Sequence, residues 1–107
     1  MITDADVDAS LQYILETASA SAQARADRVT LEHGLKRIKA LAMKEHSQLP
    51  VTAQEREAYA SPQYLTALEG LNRAVYEDER HRALRDAHSS RIDAWRTLEA
   101  SRRSVRL

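Results

Sequence analysis

The second half of the chain constrains the fold most, because it contains no proline after Pro62 and a single glycine, Gly70. Ser61 is a favoured N-cap residue and proline suits the first helical position, so a helix is expected to begin at Pro62. Apolar residues then recur in steps of three and four, the spacing of one helix face. They include Tyr64, Leu65, Leu68, Leu71, Val75, Leu84, Ile92, Trp95 and Leu98. We predict one helix over about residues 62–105, roughly 65 Å long.

The first half is predicted to form another long helix, over about residues 4–47. Thr3 is a candidate N-cap residue for it. No glycine or proline interrupts the segment before Gly34, so we expect the helix to be continuous. It should end shortly before Leu49, because a residue that precedes proline avoids helical dihedral angles.

The segment between the long helices is short, and Thr52 and Glu55 have the spacing of a capping box, which predicts a short helix over about residues 53–60. We therefore expect one all-α domain, residues 1–107, folded as a long antiparallel helical hairpin with a short connecting helix. Two helices cannot cover apolar faces this wide. A coiled-coil-like homodimer with four helices would cover them, and so would a different protein partner. The residues expected at this interface are Tyr64, Leu68, Leu84, Ile92, Trp95 and Leu98.

The sequence lacks the local patterns that catalysis or cofactor binding would require. There is no cysteine, and two isolated glycines cannot form a phosphate-binding loop. Asp78, His81 and His88 have helical spacing, but a di-metal site in a helical bundle needs two Glu-x-x-His pairs and two further carboxylates. A dimer would supply a second copy of the motif, yet a solvated charge run is the favoured interpretation. We expect no enzymatic activity, no cofactor and no metal site.

The net charge is zero, but it is unevenly distributed along the chain. Residues 1–24 carry four acidic groups and no base, whereas residues 80–107 carry eight arginines and three acidic groups. This pattern suits the helix dipoles and an acidic start lying beside a basic end, which is the favoured interpretation. The alternative is an anion-binding, nucleic-acid-contacting helix. Its candidate residues are Arg91, Arg96, Arg102 and Arg103.

Residues 55–107 carry a resemblance that the spacing does not reveal. It is carried by two segments, the run from Glu55 to Leu71, with Ala58-Tyr59 and Gly70-Leu71, and the later Ala94-Trp95-Arg96. These segments are similar to small helical proteins encoded by phages and prophages, which have no assigned activity. The resemblance implies a viral origin. It also implies an inhibitor or adaptor of a host or phage protein, an accessory in phage DNA metabolism, or an assembly component.

The expected location is the cytoplasm of a bacterial host cell. No apolar run reaches the roughly 20 residues that a membrane span requires. The acidic first residues are unlike a signal peptide. We expect no membrane partner.

Overall fold

A computed structural model describes residues 1–106 of the chain; Leu107 and the side chain of Arg106 lie outside the described part. Over the described residues the fold consists of α-helices connected by short turns. The helices are α1 (Asp4–Glu16), α2 (Ala18–Lys44), α3 (Val51–Tyr59) and α4 (Pro62–Arg106). The predicted all-α class and the long C-terminal helix are confirmed.

The starts of α1 and α4 follow the capping chemistry expected from the sequence. The Thr3 hydroxyl accepts a hydrogen bond from the Asp6 N–H at 3.1 Å, and the Asp6 carboxylate accepts one from the Thr3 N–H at 2.9 Å. At the start of α4, the Ser61 hydroxyl accepts from the Tyr64 N–H at 3.2 Å. These bonds satisfy N–H groups that have no partner within the first helical turn. The charged segment 77–82 is helical throughout, so α4 is continuous there.

The first predicted helix is divided in two, because Thr17 leaves the helical conformation with φ −96° and ψ 1°. Its hydroxyl donates to the Tyr13 carbonyl at 2.7 Å. The guanidinium of Arg85 on α4 donates to the Ile14 carbonyl at 2.9 Å and to Thr17 Oγ1 at 3.0 Å. A side chain that engages helix carbonyls in this way competes with the backbone hydrogen bonds and bends the helix.

The connection between α2 and α3 also differs from the sequence prediction. α2 ends at Lys44, and α3 begins at Val51, where Pro50 is the N-cap residue and makes no side-chain capping bond. The predicted capping box at Thr52 is therefore wrong. Instead, the amide of Gln54 donates to the Leu49 carbonyl at 2.8 Å, which satisfies a backbone acceptor of the turn.

The described chain packs as two compact units. The terminal unit contains residues 1–22 and the part of α4 from residue 79 onward, and the central unit contains residues 23–78. In the terminal unit α1 runs antiparallel to α4, because Asp4 contacts Trp95 whereas Thr17 contacts Arg85. In the central unit the later part of α2 packs with α3 and with the first part of α4.

Few side chains are buried, and those that are buried are mostly small. Val7 and Ser10 are buried in the terminal unit, and Ala24, Ala42, Ala58 and Asp78 in the central unit. Small contact residues allow helices to approach closely, at the lower end of the 8–10 Å range of interaxial distances. The larger apolar side chains consequently remain partly in contact with solvent. Gly34, by contrast, marks no close crossing, because an added Cβ would meet nothing within 4 Å.

Candidate interaction surfaces

Polar side chains join α1 to α4 in the terminal unit. Ser10 has no exposed surface, and its hydroxyl lies 2.8 Å from Nδ1 of His88. Arg91 Nη1 donates to the same serine oxygen at 3.4 Å. The serine hydroxyl hydrogen is thus available to donate to His88. The ring of Tyr13 stacks on His88, with centroids 4.2 Å apart and planes inclined by 25°.

An ion pair extends this polar seam toward the start of α1. Arg91 Nη2 lies 2.6 Å from the Asp6 carboxylate. The Thr3 N–H and hydroxyl, followed by the Arg91 charge, hold the pKa of Asp6 below its ordinary value. The acidic start of α1 therefore does pair with the basic end of α4, as the interpretation favoured by the charge distribution requires.

Trp95 and Ile92, two residues predicted at a partner interface, are half-buried in the terminal unit. The indole N–H of Trp95 donates to the Asp4 carboxylate at 3.2 Å, so this ring is engaged within the chain. Leu84 and Leu98, from the same prediction, are 37% and 41% exposed. They are four helical turns apart, which places them on one face of α4.

The four arginines predicted to bind anions differ in their contacts within the terminal unit. Arg91 is paired with Asp6, and Arg102 donates to Glu99 at 2.7 Å and lies 3.4 Å from the sulfur of Met1. Arg96 and Arg103 are exposed, and Arg96 lies 3.7 Å from Asp93. Two of the four cations are therefore already held by partners within the terminal unit.

Over residues 1–106, no group of three or more His, Asp or Glu side chains has an arrangement that could hold a metal ion. Asp78 is instead 3.2 Å from Arg28, and His88 contacts Ser10.

None of the described helices is long and apolar enough to cross a membrane.

The central unit carries an apolar surface on α4. Leu65 is 56% exposed and Leu68 is 44% exposed. Leu68, Leu71 and Val75 line a shallow depression together with Glu69 and Asn72. We call the four residues Leu65, Leu68, Leu71 and Val75 the central patch. Leu68 was predicted at an interface, whereas Leu65 belonged to the apolar stripe without being assigned to one.

Tyr64, the remaining residue of the predicted interface, is half-buried and contacts Tyr59 of α3 edge-on, with ring centroids 5.2 Å apart. The ammonium of Lys39 lies 4.7 Å from the Tyr59 ring centroid and 4.0 Å from the Glu55 carboxylate. The hydrogen bond with Tyr59 raises the pKa of Lys39 above its ordinary value. The edge-on contact with Tyr59 gives Tyr64 a packing role within the central unit.

The total exposed area is large for the size of the chain. The chain has 7860 Å² of accessible surface at a mass of 12.1 kDa. A folded monomer of this mass ordinarily exposes about 6,000 Å², so the excess is about 1,900 Å². Much of the exposed surface is apolar, as the leucines above illustrate.

Comparisons with known proteins add no function to these surfaces. No protein-family model matches the sequence, and neither the curated proteins nor the solved structures include a significant match. The candidate surfaces therefore rest on the geometry alone.

Proposed function

We propose that this chain is a non-catalytic, phage-encoded interaction protein that binds a protein partner through the central patch, as an inhibitor or adaptor of a host or phage protein. The observation that carries the proposal is the exposure of Leu65 and Leu68 beside the depression formed with Leu71 and Val75. The site of action would be the cytoplasm of the infected bacterium.

The central patch is suited to an apolar helix of a partner. Its residues recur in steps of three and four, so they form a ridge along one side of α4. Complete burial of a leucine side chain contributes about 1.5–3 kcal/mol. Because Leu65 and Leu68 are about half exposed, covering each of them would contribute about 1 kcal/mol. Helix-in-groove recognition uses apolar contacts of this kind.

The nucleic-acid alternative receives less support from the contacts of the arginines. Phosphate binding needs several basic side chains that are available to the backbone of the nucleic acid. Arg91 and Arg102 are engaged with Asp6 and Glu99, and Arg96 has Asp93 nearby. A role in phage assembly would use a protein–protein contact, so it is a variant of the proposed function.

The test is a comparison of three proteins in affinity captures from bacterial lysate, each performed with and without nuclease treatment. Leu68→Asp places a charge in the central patch. Thr66→Asp places the same charge on the other side of α4, also at an exposed position. We expect one dominant protein to be captured by the wild type and by Thr66→Asp, and at least tenfold less of it by Leu68→Asp.

Two results would contradict the proposal. Equal capture by all three proteins would remove the central patch from the interface. Loss of every captured protein after nuclease treatment would show that nucleic acid, and not a protein contact, mediates the association. Circular dichroism of Leu68→Asp serves as the check that its helices are intact.

A further inference from the structure

One face of α4 in the terminal unit is exposed and carries almost no charge. Between residues 83 and 105, nine exposed residues on this face are all uncharged. Seven other residues in the same stretch are exposed, and four of those are charged. We call this surface the uncharged face. It consists of Ala83, Leu84, Ala87, Ser90, Arg91, Ala94, Thr97, Leu98, Ser101 and Val105.

A solvated helix does not require this segregation. The chain as a whole is 30% charged, and most of the other exposed residues of this segment carry a charge. Arg91 is the only charged member of the uncharged face among the described residues, and Asp6 neutralises it at 2.6 Å. Depletion of charge is characteristic of the centre of a protein–protein interface.

The spacing along the middle of this face alternates between large and small residues. The large residues are Leu84, Arg91, Leu98 and Val105, and the small ones between them are Ala87, Ala94 and Ser101. Their steps of three and four repeat every seven residues, the period of a helix-packing seam. Met1 lies beside this seam, where it lines an apolar depression with Leu98 and Val105.

We infer that the uncharged face binds the same face of a second copy of this chain, with the two α4 helices antiparallel. If the two-fold axis passes midway between residues 92 and 93, Leu84 lies opposite the partner's Ser101. Ala87 then lies opposite the partner's Leu98. Arg91 lies opposite the partner's Ala94. In this register a large side chain faces a small one at each of the six positions from Leu84 to Ser101, and the alanines permit close approach.

A parallel arrangement does not fit the same residues. In register it would place Leu84 against Leu84 and leave Ala87 facing Ala87, so that overcrowded and underfilled positions would alternate. It would also bring the two Arg91 guanidinium groups directly together. In the antiparallel pair the two Arg91 backbones are offset along the helix by about 4.5 Å, and each cation keeps its own Asp6. Complementarity therefore selects one orientation.

The accessible surface of the whole chain is consistent with association. A standard specific interface buries about 800 Å² on each partner. The chain exposes 7860 Å², which exceeds the surface ordinarily found at this mass by about 1,900 Å². A dimer formed through the uncharged face would remove part of this excess. The central patch belongs to the central unit and is not used, so the inference does not depend on the proposed function.

The first test is the oligomeric state of the purified protein over a concentration series, by analytical ultracentrifugation. We expect a mass twice that of the 12.1 kDa chain. Ala94→Glu introduces a charge at the centre of the uncharged face and is expected to halve the measured mass. Ser89→Glu introduces the same charge at an exposed position on the opposite side of α4 and should leave the dimer intact. A monomeric wild type, or a dimer that survives Ala94→Glu, would overturn the inference.

The antiparallel orientation of the two α4 helices is tested by disulfide cross-linking. Only the introduced cysteines can react, because the chain has no cysteine of its own. The double variant Leu84→Cys with Ser101→Cys should form covalent dimers on oxidation. Within one helix these positions are about 26 Å apart, too far for an intrachain disulfide. In the antiparallel dimer each single variant places its two cysteines equally far apart and should not cross-link. Efficient cross-linking of either single variant would refute the antiparallel register.

Discussion

The polar seam of the terminal unit leads to a prediction for Ser10→Ala. Removing the hydroxyl deprives His88 Nδ1 of the hydrogen bond that now measures 2.8 Å. A buried polar atom left without a partner costs about 1–3 kcal/mol, and because His88 is only half-buried we take about 1–2 kcal/mol. Arg91 loses little, since it keeps Asp6. Alanine recovers about 0.5 kcal/mol through its helix propensity. The expected net destabilisation is about 1 kcal/mol.

The assay is urea denaturation followed by circular dichroism, with all variants at one protein concentration so that any association contributes equally. Ser89→Ala is the matched control, because Ser89 is exposed on α4 and the same substitution there should stabilise by about 0.5 kcal/mol. The two serine variants should thus shift the urea midpoint in opposite directions. If Ser10→Ala is as stable as Ser89→Ala, the polar seam does not hold α1 to α4.

A double-mutant cycle separates the Ser10–His88 contact from other effects of the substitutions. His88→Ala also removes the stacking on Tyr13, so its single cost should exceed that of Ser10→Ala. The coupling free energy of the pair should be about 1 kcal/mol. A coupling free energy near zero would mean that the Ser10–His88 contact does not contribute to stability.

Three further predictions concern helix starts, pH and glycine. Thr3→Ala removes the capping hydroxyl of α1 and should lower the free energy of unfolding by about 1 kcal/mol in urea melts, whereas no change would show that Asp6 alone suffices. The lowered pKa of Asp6 means that its carboxylate stabilises the fold at a pH above the ordinary pKa of 3.8, and that this contribution is lost as the pH falls through the lower folded-state pKa. Asp6→Asn should therefore flatten the acid side of the stability profile. An unchanged profile would argue against the contacts of this carboxylate with Thr3 and Arg91. Gly34→Ala and Gly70→Ala should each raise the melting temperature, because alanine is favoured over glycine in helices by about 1 kcal/mol. An added Cβ would meet nothing within 4 Å at Gly34 and only the Arg73 side chain, at 3.9 Å, at Gly70. Destabilisation at either site would indicate a close helix contact there.

The helices themselves could be predicted from local chemistry. Thr3 and Ser61 bind the first N–H groups of α1 and α4, as their positions in the sequence suggested. The long C-terminal helix followed from good helix formers without an internal proline. Such features act within four residues along the chain, so they can be recognised in the sequence alone. The break at Thr17 could not be recognised in this way, because it involves a contact with Arg85, which is 68 positions away.

The candidate surfaces could be predicted only in part for a related reason. Apolar spacing identified Leu68, Leu84 and Leu98, and all three are exposed. The same spacing selected Trp95, yet this ring donates to Asp4, 91 positions away. Periodicity identifies the residues that share a helix face, but not the element that covers this face.

The sequence by itself determined the helical class, the helix starts and the absence of cysteine chemistry, because these properties are local or compositional. Only the tertiary structure decided which polar groups are satisfied inside the chain. It paired Asp6 with Arg91 and Ser10 with His88, and it left Leu84 and Leu98 exposed on the uncharged face. The physical reason is that a buried polar group requires a partner of defined geometry, and in this protein that partner lies on a helix from the other end of the chain.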